Sequence, residues 1–418
     1  MEVGRSTVAW AIVIGALALA VAAGVGLGVL AAGAAGPSGG QGVAGAVSSA
    51  SPSPSGPGTA QPSPSPSPAP IHSPTAPPTP TPLPTPTPTP SPTPTPVPTQ
   101  APLTGRMVRP AVAERRAIAI MIDDHPDARP QSGFNAAAVV WHAPAEGGIP
   151  RYMLIFQDQI PESVGPVRSA RQYYIAWAAE WDAVYGHSGG SPQALRTLRE
   201  QGNGQLVYNA DEFRYGGIFY HRSTDRFAPH NVYTTGKELR RLAKRIGAVD
   251  KAQKAAWKFA PDAPLEQRPK GGRISTAYSW NKISYRYDRK TNTYIRSVSG
   301  ADPQIDRATG EPVAPKNVVV MLMSFGPLND GSNKHRLEGD FIGTGRAYIA
   351  TNGHTIKGTW RKDSMTKPTR FYNAAGKQVT LTIGQTFVQV MPKGTTVTIK
   401  DGKVPVPRLY PGLPRDPL

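Results

Sequence analysis

Cysteine is absent from all 418 residues. That excludes structural disulfides, thiolate-bound zinc and a cysteine nucleophile, so a folded region here must be held together by its core. Charge is scarce at the start: residues 1 to 104 contain one Glu and one Arg, so the whole formal net charge of +18 belongs to residues 105 to 418. Large apolar residues are sparse from Pro37 to Thr104, where Ser-Pro and Thr-Pro repeats dominate and no Asp, Glu, Lys or Arg occurs. Such a tract cannot bury enough surface to offset the entropy of ordering it. It favours polyproline II at ~3.1 Å per residue, a disordered stalk reaching at most on the order of 200 Å.

What is present before the stalk is the opposite. Val8 to Ala35 is an uncharged run of Ala, Val, Leu, Ile and Gly with one Trp, long enough to span a hydrocarbon core of ~30 Å as a helix. A cleavable signal has an apolar core of only about 7–15 residues. Residues 1–36 are therefore read as a membrane anchor, with a signal segment cut at the small residues Ala31 to Ala34 as the alternative. Arg5 precedes the run and no Lys or Arg follows until Arg106, which places the body outside the cytoplasm. The expectation is a single-pass cell-membrane protein whose basic part meets anionic wall polymers, head groups or envelope proteins, with no nucleic acid in reach.

Residues 105–249 alternate strand-like and helical patterns: Ala117 to Asp123, Ala137 to Ala143, Tyr152 to Asp158 and Ala183 to His187 read as strands, Arg168 to Trp181 and Ser191 to Gln201 as helices. Thr235-Gly236-Lys237-Glu238 opens a further helix with a capping box, and Gly247 closes it. Residues 250–272 read as a connection. From 273 to 418 the period changes to two, starting with a hairpin of Tyr285 to Asp288 on Thr293 to Arg296. Short runs follow at Asn317 to Ser324, Arg346 to Thr351, His354 to Trp360, Gln378 to Thr382, Thr386 to Val390 and Thr395 to Lys400. The fold class expected is α+β: an α/β domain with a mixed sheet, then a smaller, mostly β domain with a sheet, sandwich or barrel of its own.

The chemistry-bearing residues concentrate between Arg116 and Asn231. Asp123-Asp124-His125 ends a buried strand, where an α/β sheet presents ligands, and two carboxylates turned together suit Mg²⁺ or another divalent cation. Glu146-Gly147-Gly148-Ile149-Pro150-Arg151 lies between two strands. Val164-Gly165-Pro166-Val167-Arg168-Ser169-Ala170-Arg171 puts two arginines at an expected helix start, able to grip phosphate or carboxylate, or to pair internally with Glu146 or Asp182. His187-Ser188-Gly189-Gly190-Ser191-Pro192 links a strand to a helix, with Ser191 as N-cap and Pro192 at the first helical position. A Ser188 nucleophile with His187 as base lacks a third group to orient the imidazole. Arg226 and Pro229-His230-Asn231 complete the set. Trp141, Tyr173, Tyr174 and Trp177 suit either a sugar groove or the core.

These blocks, with Gly358-Thr359-Trp360-Arg361-Lys362 and the run from Ile383 to Val390, resemble the YerB-like family of bacterial envelope proteins from Arg116 to Lys400. Members are commonly lipoproteins, acylated on a cysteine that this sequence does not contain. In the family pattern Asn often stands at the position of Asp124, which favours Asp123 as the functional carboxylate. The resemblance implies a bacterial envelope protein, and the residues themselves suggest that it binds an anionic wall component or protein partner through Arg129, Arg151, Arg168, Arg171, His187, Ser188, Arg226, His230 and Asn231. A distant likeness to the LytR-CpsA-Psr family suggests metal-dependent phosphotransfer, with Asp123 helping to hold Mg²⁺ and Arg129, Arg151, Arg168 and Arg171 neutralising a pyrophosphate leaving group. There Tyr152 follows Ile149-Pro150-Arg151 where that family has Asp. A third reading is glycan hydrolysis by Asp123 and Glu146, so the catalytic candidates are Asp123, Glu146 and His187.

Overall fold

Strands read from long apolar runs form the middle of one sheet. The computed structural model describes residues 96–405 except Ala252 and Lys254, so the apolar anchor and most of the stalk lie outside the described residues. Among the described residues no helix is long and apolar enough to cross a membrane. The first half contributes β1 (Ile118–Asp123), β2 (Val139–Glu146), β3 (Ile149–Phe156), β4 (Val184–His187) and β5 (Tyr208–Asp211). Then come β6 (Lys270–Ala277), β7 (Lys282–Asp288) and β8 (Thr293–Val298). The remaining strands of the two larger sheets are β9 (Asn317–Met323), β10 (Gly343–Thr351), β11 (His354–Lys362), β12 (Arg370–Asn373), β13 (Thr386–Pro392) and β14 (Thr398–Lys403).

Ten of these make a single mixed sheet in the order β12-β11-β10-β9-β13-β2-β3-β1-β4-β5. The expectation of a separate sheet for the second half holds only in part, because five of its strands, β9 to β13, join this shared sheet. β13 lies parallel to β9 on one side, with Thr386 opposite Asn317, and parallel to β2 on the other, with Thr386 opposite Val139. The fold is accordingly mostly β rather than α/β followed by β. Strands enclosed on both faces carry near-continuous apolar sequence, and β1, I-A-I-M-I-D, is buried at all six positions.

Alternation along these strands sorts side chains into two cores. Ala119, Met121, Trp141, Met153, Val319 and Met321 face helix α1 (Gln172–Ala179), packing with Tyr173, Tyr174 and Trp177. Ile118, Ile120, Ile122, Leu154, Val318 and Val320 face the other way, packing with Tyr285, Tyr287 and Phe387. The second face is covered by an antiparallel four-stranded sheet, β8-β7-β6-β14. Its strands are half-buried, and β8 reads intermediate-buried along T-Y-I-R-S-V, as a sheet with one solvated face requires. The aromatics considered for a sugar groove are core: Trp141 and Trp177 are fully buried and stack at 4.4 Å.

Local signals act where they were read. Ser191 caps α2 (Pro192–Gln201) by accepting from the Ala194 N–H at 3.3 Å, and Thr235 caps α3 (Gly236–Arg245) by accepting from Glu238 at 3.1 Å. The hairpin of β7 and β8 pairs Asp288 with Thr293. Two boundaries move. Thr99–Gln100 pairs with Met107–Val108, and Leu103 and Thr104 are fully buried, so the folded region starts inside the Pro-rich tract. The expected connection is pinned where Lys258–Ala260 pairs with Thr380–Thr382 and Trp257 donates to the Thr369 carbonyl.

Candidate functional site

The site grows from the carboxyl end of β1, where consecutive carboxylates leave on opposite faces. Asp123 continues the α1 side and Asp124 the side of the four-stranded sheet, so the expected joint grip of a cation by Asp123 and Asp124 does not form. Asp124 is fully buried. Its Oδ1 accepts from Arg129 Nη2 at 2.9 Å, and its Oδ2 from His142 Nε2 at 2.9 Å and Asn281 Nδ2 at 2.7 Å. His142 Nδ1 in turn accepts from Gln389 Nε2 at 3.0 Å and Arg296 Nη2 at 3.2 Å, which fixes the neutral Nε2–H tautomer. Burial pushes the His142 imidazole down to about 4. Burial alone would raise the Asp124 carboxyl, but His142, Arg129 and Arg296 outweigh it and hold it below its ordinary value. Every member has a partner, and Arg129 is committed here rather than to a ligand: it also donates to Asn281 at 2.8 Å and the Ser299 carbonyl at 2.7 Å.

On the opposite face Asp123 Oδ2 accepts from Arg168 Nε at 2.8 Å and His230 Nδ1 at 2.7 Å, and Oδ1 from the His125 N–H at 3.1 Å. Burial raises its carboxyl, yet Arg151 and Arg168 overcome that and lower it. Arg151, directly across from Asp123 in the β1–β3 register, pairs with Glu146, and Glu146 also pairs with Arg171. Burial lowers the Arg171 guanidinium, and the nearby Arg336 lowers it further. Arg168, Asp123, Arg151, Glu146 and Arg171 thus form one ladder of alternating charges, with His230 bonded at its Asp123 end.

The two arginines reach different rungs because they do not start a helix. The segment from Gly165 to Ala170 runs extended beside β1, with Ile122 bridged to Val167, and Arg171 itself is the N-cap of α1 with φ −138° and ψ 152°. In extended chain, residues three apart point to opposite sides, hence Arg168 on Asp123 and Arg171 on Glu146. Gly165 allows the segment its path: at φ +155° an added Cβ would lie 2.5 Å from the Tyr233 ring.

The ladder leaves donors over. Arg151 Nε and Nη1, Arg171 Nε and Arg336 Nε are buried without a partner, as is the Tyr185 hydroxyl. Arg151 and Arg171 are 5 % and 2 % exposed, while the Arg168 and Glu146 side chains, at 24 % and 25 %, form the rim.

His187 and Ser188 make no dyad. His187 is buried with Nδ1 2.8 Å from the Gly189 carbonyl and Nε2 2.8 Å from Asn209 Oδ1, and Ser188 Oγ donates to Glu212 at 2.9 Å. Arg226 reaches the Pro130 carbonyl at 2.7 Å, and Asn231 donates to the Ser223 and Arg226 carbonyls, so both tie loops together. Asp123 and Glu146 lie among guanidinium groups, not in the apolar pocket that prepares a glycosidase acid. Sequence reasoning missed Arg336, which bridges to Glu146 from the second half, and the approach of His125 to His230, whose rings stack at 4.6 Å. Each of those histidines sits next to a proline in a polar loop, a visible but unspecific signal.

Comparison with known proteins matches two descriptions: "Protein of unknown function (DUF3048) N-terminal domain" over residues 103–249 and its C-terminal counterpart over 274–388. A Bacillus subtilis (strain 168) protein named "Putative lipoprotein YerB" is 32 % identical over 308 residues, covering 73 % of this chain and 89 % of that one. The crystal structure of YerB from Bacillus subtilis superposes with a TM-score of 0.63 at 28 % identity, covering 72 % of this chain and 99 % of that chain. The resemblance read from the blocks between Arg116 and Lys400 is thereby established, and the chain is a member of the YerB-like DUF3048 family.

Proposed function

We propose that this is an envelope-associated protein, anchored by its apolar amino-terminal run with the folded part outside the cytoplasm, that binds an anionic group of a wall component in the arginine cluster. The observation that carries the reading is the set of unpartnered N–H groups on the buried guanidinium groups of Arg151 and Arg171. An unsatisfied buried donor costs about 1–3 kcal/mol, more when charged, and a phosphate or carboxylate satisfies several at once with the bidentate geometry arginine favours. The +18 charge beyond the stalk and a relative named as a lipoprotein point the same way. Glu146 is the internal counter-ion that an incoming anion displaces.

The test is calorimetric titration of the full chain in detergent with pyrophosphate. Saturable binding is expected, weakened roughly 10-fold or more in Arg168→Ala and Arg171→Ala and strengthened in Glu146→Gln. Equal heats in wild type and all three variants, with their folds verified by circular dichroism, would sink the reading. A protein partner on the same loops is the second reading, favoured by exposed Phe213, Ile218 and Phe227, at 75 %, 67 % and 91 %. Crosslinking in cells, lost in a Phe213→Ser/Phe227→Ser variant but not in Arg171→Ala, distinguishes it.

A further inference from the structure

We infer that His125, Asp127 and His230 form a binding site for a divalent transition-metal ion of the zinc class, with Asp123 as its orienting carboxylate. Among the described residues these three are the only group of at least three potential His or carboxylate ligands whose donor atoms all fall within 4.8 Å of one another. They come from two loops, the one after β1 and the one before Val232–Tyr233. Arg226 ties those loops together through the Pro130 carbonyl.

The geometry of His230 is that of a ligand rather than a core histidine. Its Nδ1 is held by Asp123 at 2.7 Å, and among the described residues its Nε2 makes no hydrogen bond. A carboxylate on one imidazole nitrogen fixes the tautomer and raises the basicity of the other, the outer-shell arrangement typical of metal-bound histidine. The His125 ring lies against it, 4.6 Å away and tilted by 19°. Its Nδ1 has only a 3.3 Å contact with the Asp127 N–H and lies 3.4 Å from Asp127 Oδ2. Tetrahedral zinc places its ligand atoms at about 2.0–2.2 Å, hence roughly 3.3 Å apart. The present spread is wider than that, and the members with room to rotate are exposed Asp127, its side chain 73 % accessible, and half-buried His125, at 30 %.

Two imidazoles and one carboxylate select zinc, cobalt, nickel or copper over magnesium and calcium, which prefer all-oxygen sets. The metal class therefore differs from the Mg²⁺ expected of paired aspartates. Three protein ligands leave a fourth position for water or an anionic oxygen. Arg168 and Arg226 are the nearby cations that work against the metal, and Asp123 and Asp127 offset them. The inference does not rest on anion binding at Arg151 and Arg171.

The experiment uses tag-free full-length protein, freed of metal by chelation, titrated with Zn²⁺ and separately with Mg²⁺ in the absence of pyrophosphate. One equivalent of zinc and none of magnesium should bind. Co²⁺ should give the visible absorption of a tetrahedral N₂O donor set. His230→Ala and His125→Ala should abolish saturable binding, and Asp127→Asn should weaken it about 10-fold or more with an unchanged melting temperature, since Asp127 is exposed. Asp123→Asn should weaken it roughly 10–100-fold. Wild-type protein without saturable zinc binding, or a His125→Ala/His230→Ala variant that binds as wild type does, overturns the inference.

Discussion

Asp123 and Asp124 are neighbours in sequence and belong to different regions of the molecule. Around Asp124 every buried polar atom of the carboxylate is matched, by Arg129, His142 and Asn281, under the cover of the four-stranded sheet. Around Asp123 the charges alternate, but Arg151 and Arg171 keep buried N–H groups without partners, and the rim is open at Arg168 and Glu146. A closed polar network specifies a fold; an unfinished one leaves capacity for something else. The comparison also separates two kinds of ion pair, since a buried pair is weak evidence for stability yet costly to break.

The comparison is broken most forcefully at Asp124. Asp124→Ala leaves Arg129 and Arg296 uncompensated and should cost about 3–5 kcal/mol, read as a lowered urea midpoint with pyrophosphate affinity per folded molecule unchanged. Next comes pH. His142 has a folded value of about 4 against 6.5 unfolded, so the unfolded chain takes up the proton first. Its contribution is complete above 6.5 and is lost as pH falls toward 4, by at most about 1.4 kcal/mol per pH unit. Asp123 and Asp124, held below their ordinary value of 3.8, add a further loss beneath that value. Denaturation midpoints between pH 7 and 4.5 should fall in wild type and flatten in His142→Asn; parallel curves would reject the assignment. Arg168→Ala should show the reverse weighting, a loss of anion affinity with a smaller fall in melting temperature than Asp124→Ala, because His230 and the His125 N–H still hold Asp123. Smallest is Ser188→Ala, which removes one hydrogen bond to Glu212 and should shift stability by only about 1 kcal/mol, with zinc and pyrophosphate titrations unaltered. A large change in either titration would restore Ser188 to the site.

What the sequence disclosed follows from the range of the interactions involved. The apolar run ending at Asp123, the caps at Ser191 and Thr235 and the hairpin at Asp288 and Thr293 are local, and their signals are local too. The seating of β13 beside β2 joins Gln389 to His142, 247 residues apart, and nothing in either strand announces its partner. The sequence pattern places Arg168 and Arg171 on a helix because aromatic and small residues follow them without a break. The backbone instead stays extended until Arg171, bound to β1 through the Arg168 N–H and the Met121 carbonyl. Alternation implied that Asp123 and Asp124 diverge. The strand continues straight to its last residue instead of turning, so they do.

The place of β13 has a consequence for how the protein comes into being. The strand that seals the middle of the ten-stranded sheet follows both of its neighbours in the chain, so until it is made β2 and β9 each present an unpaired inner edge, the kind of surface that invites aggregation. Its seating therefore joins strands from both family segments in one sheet.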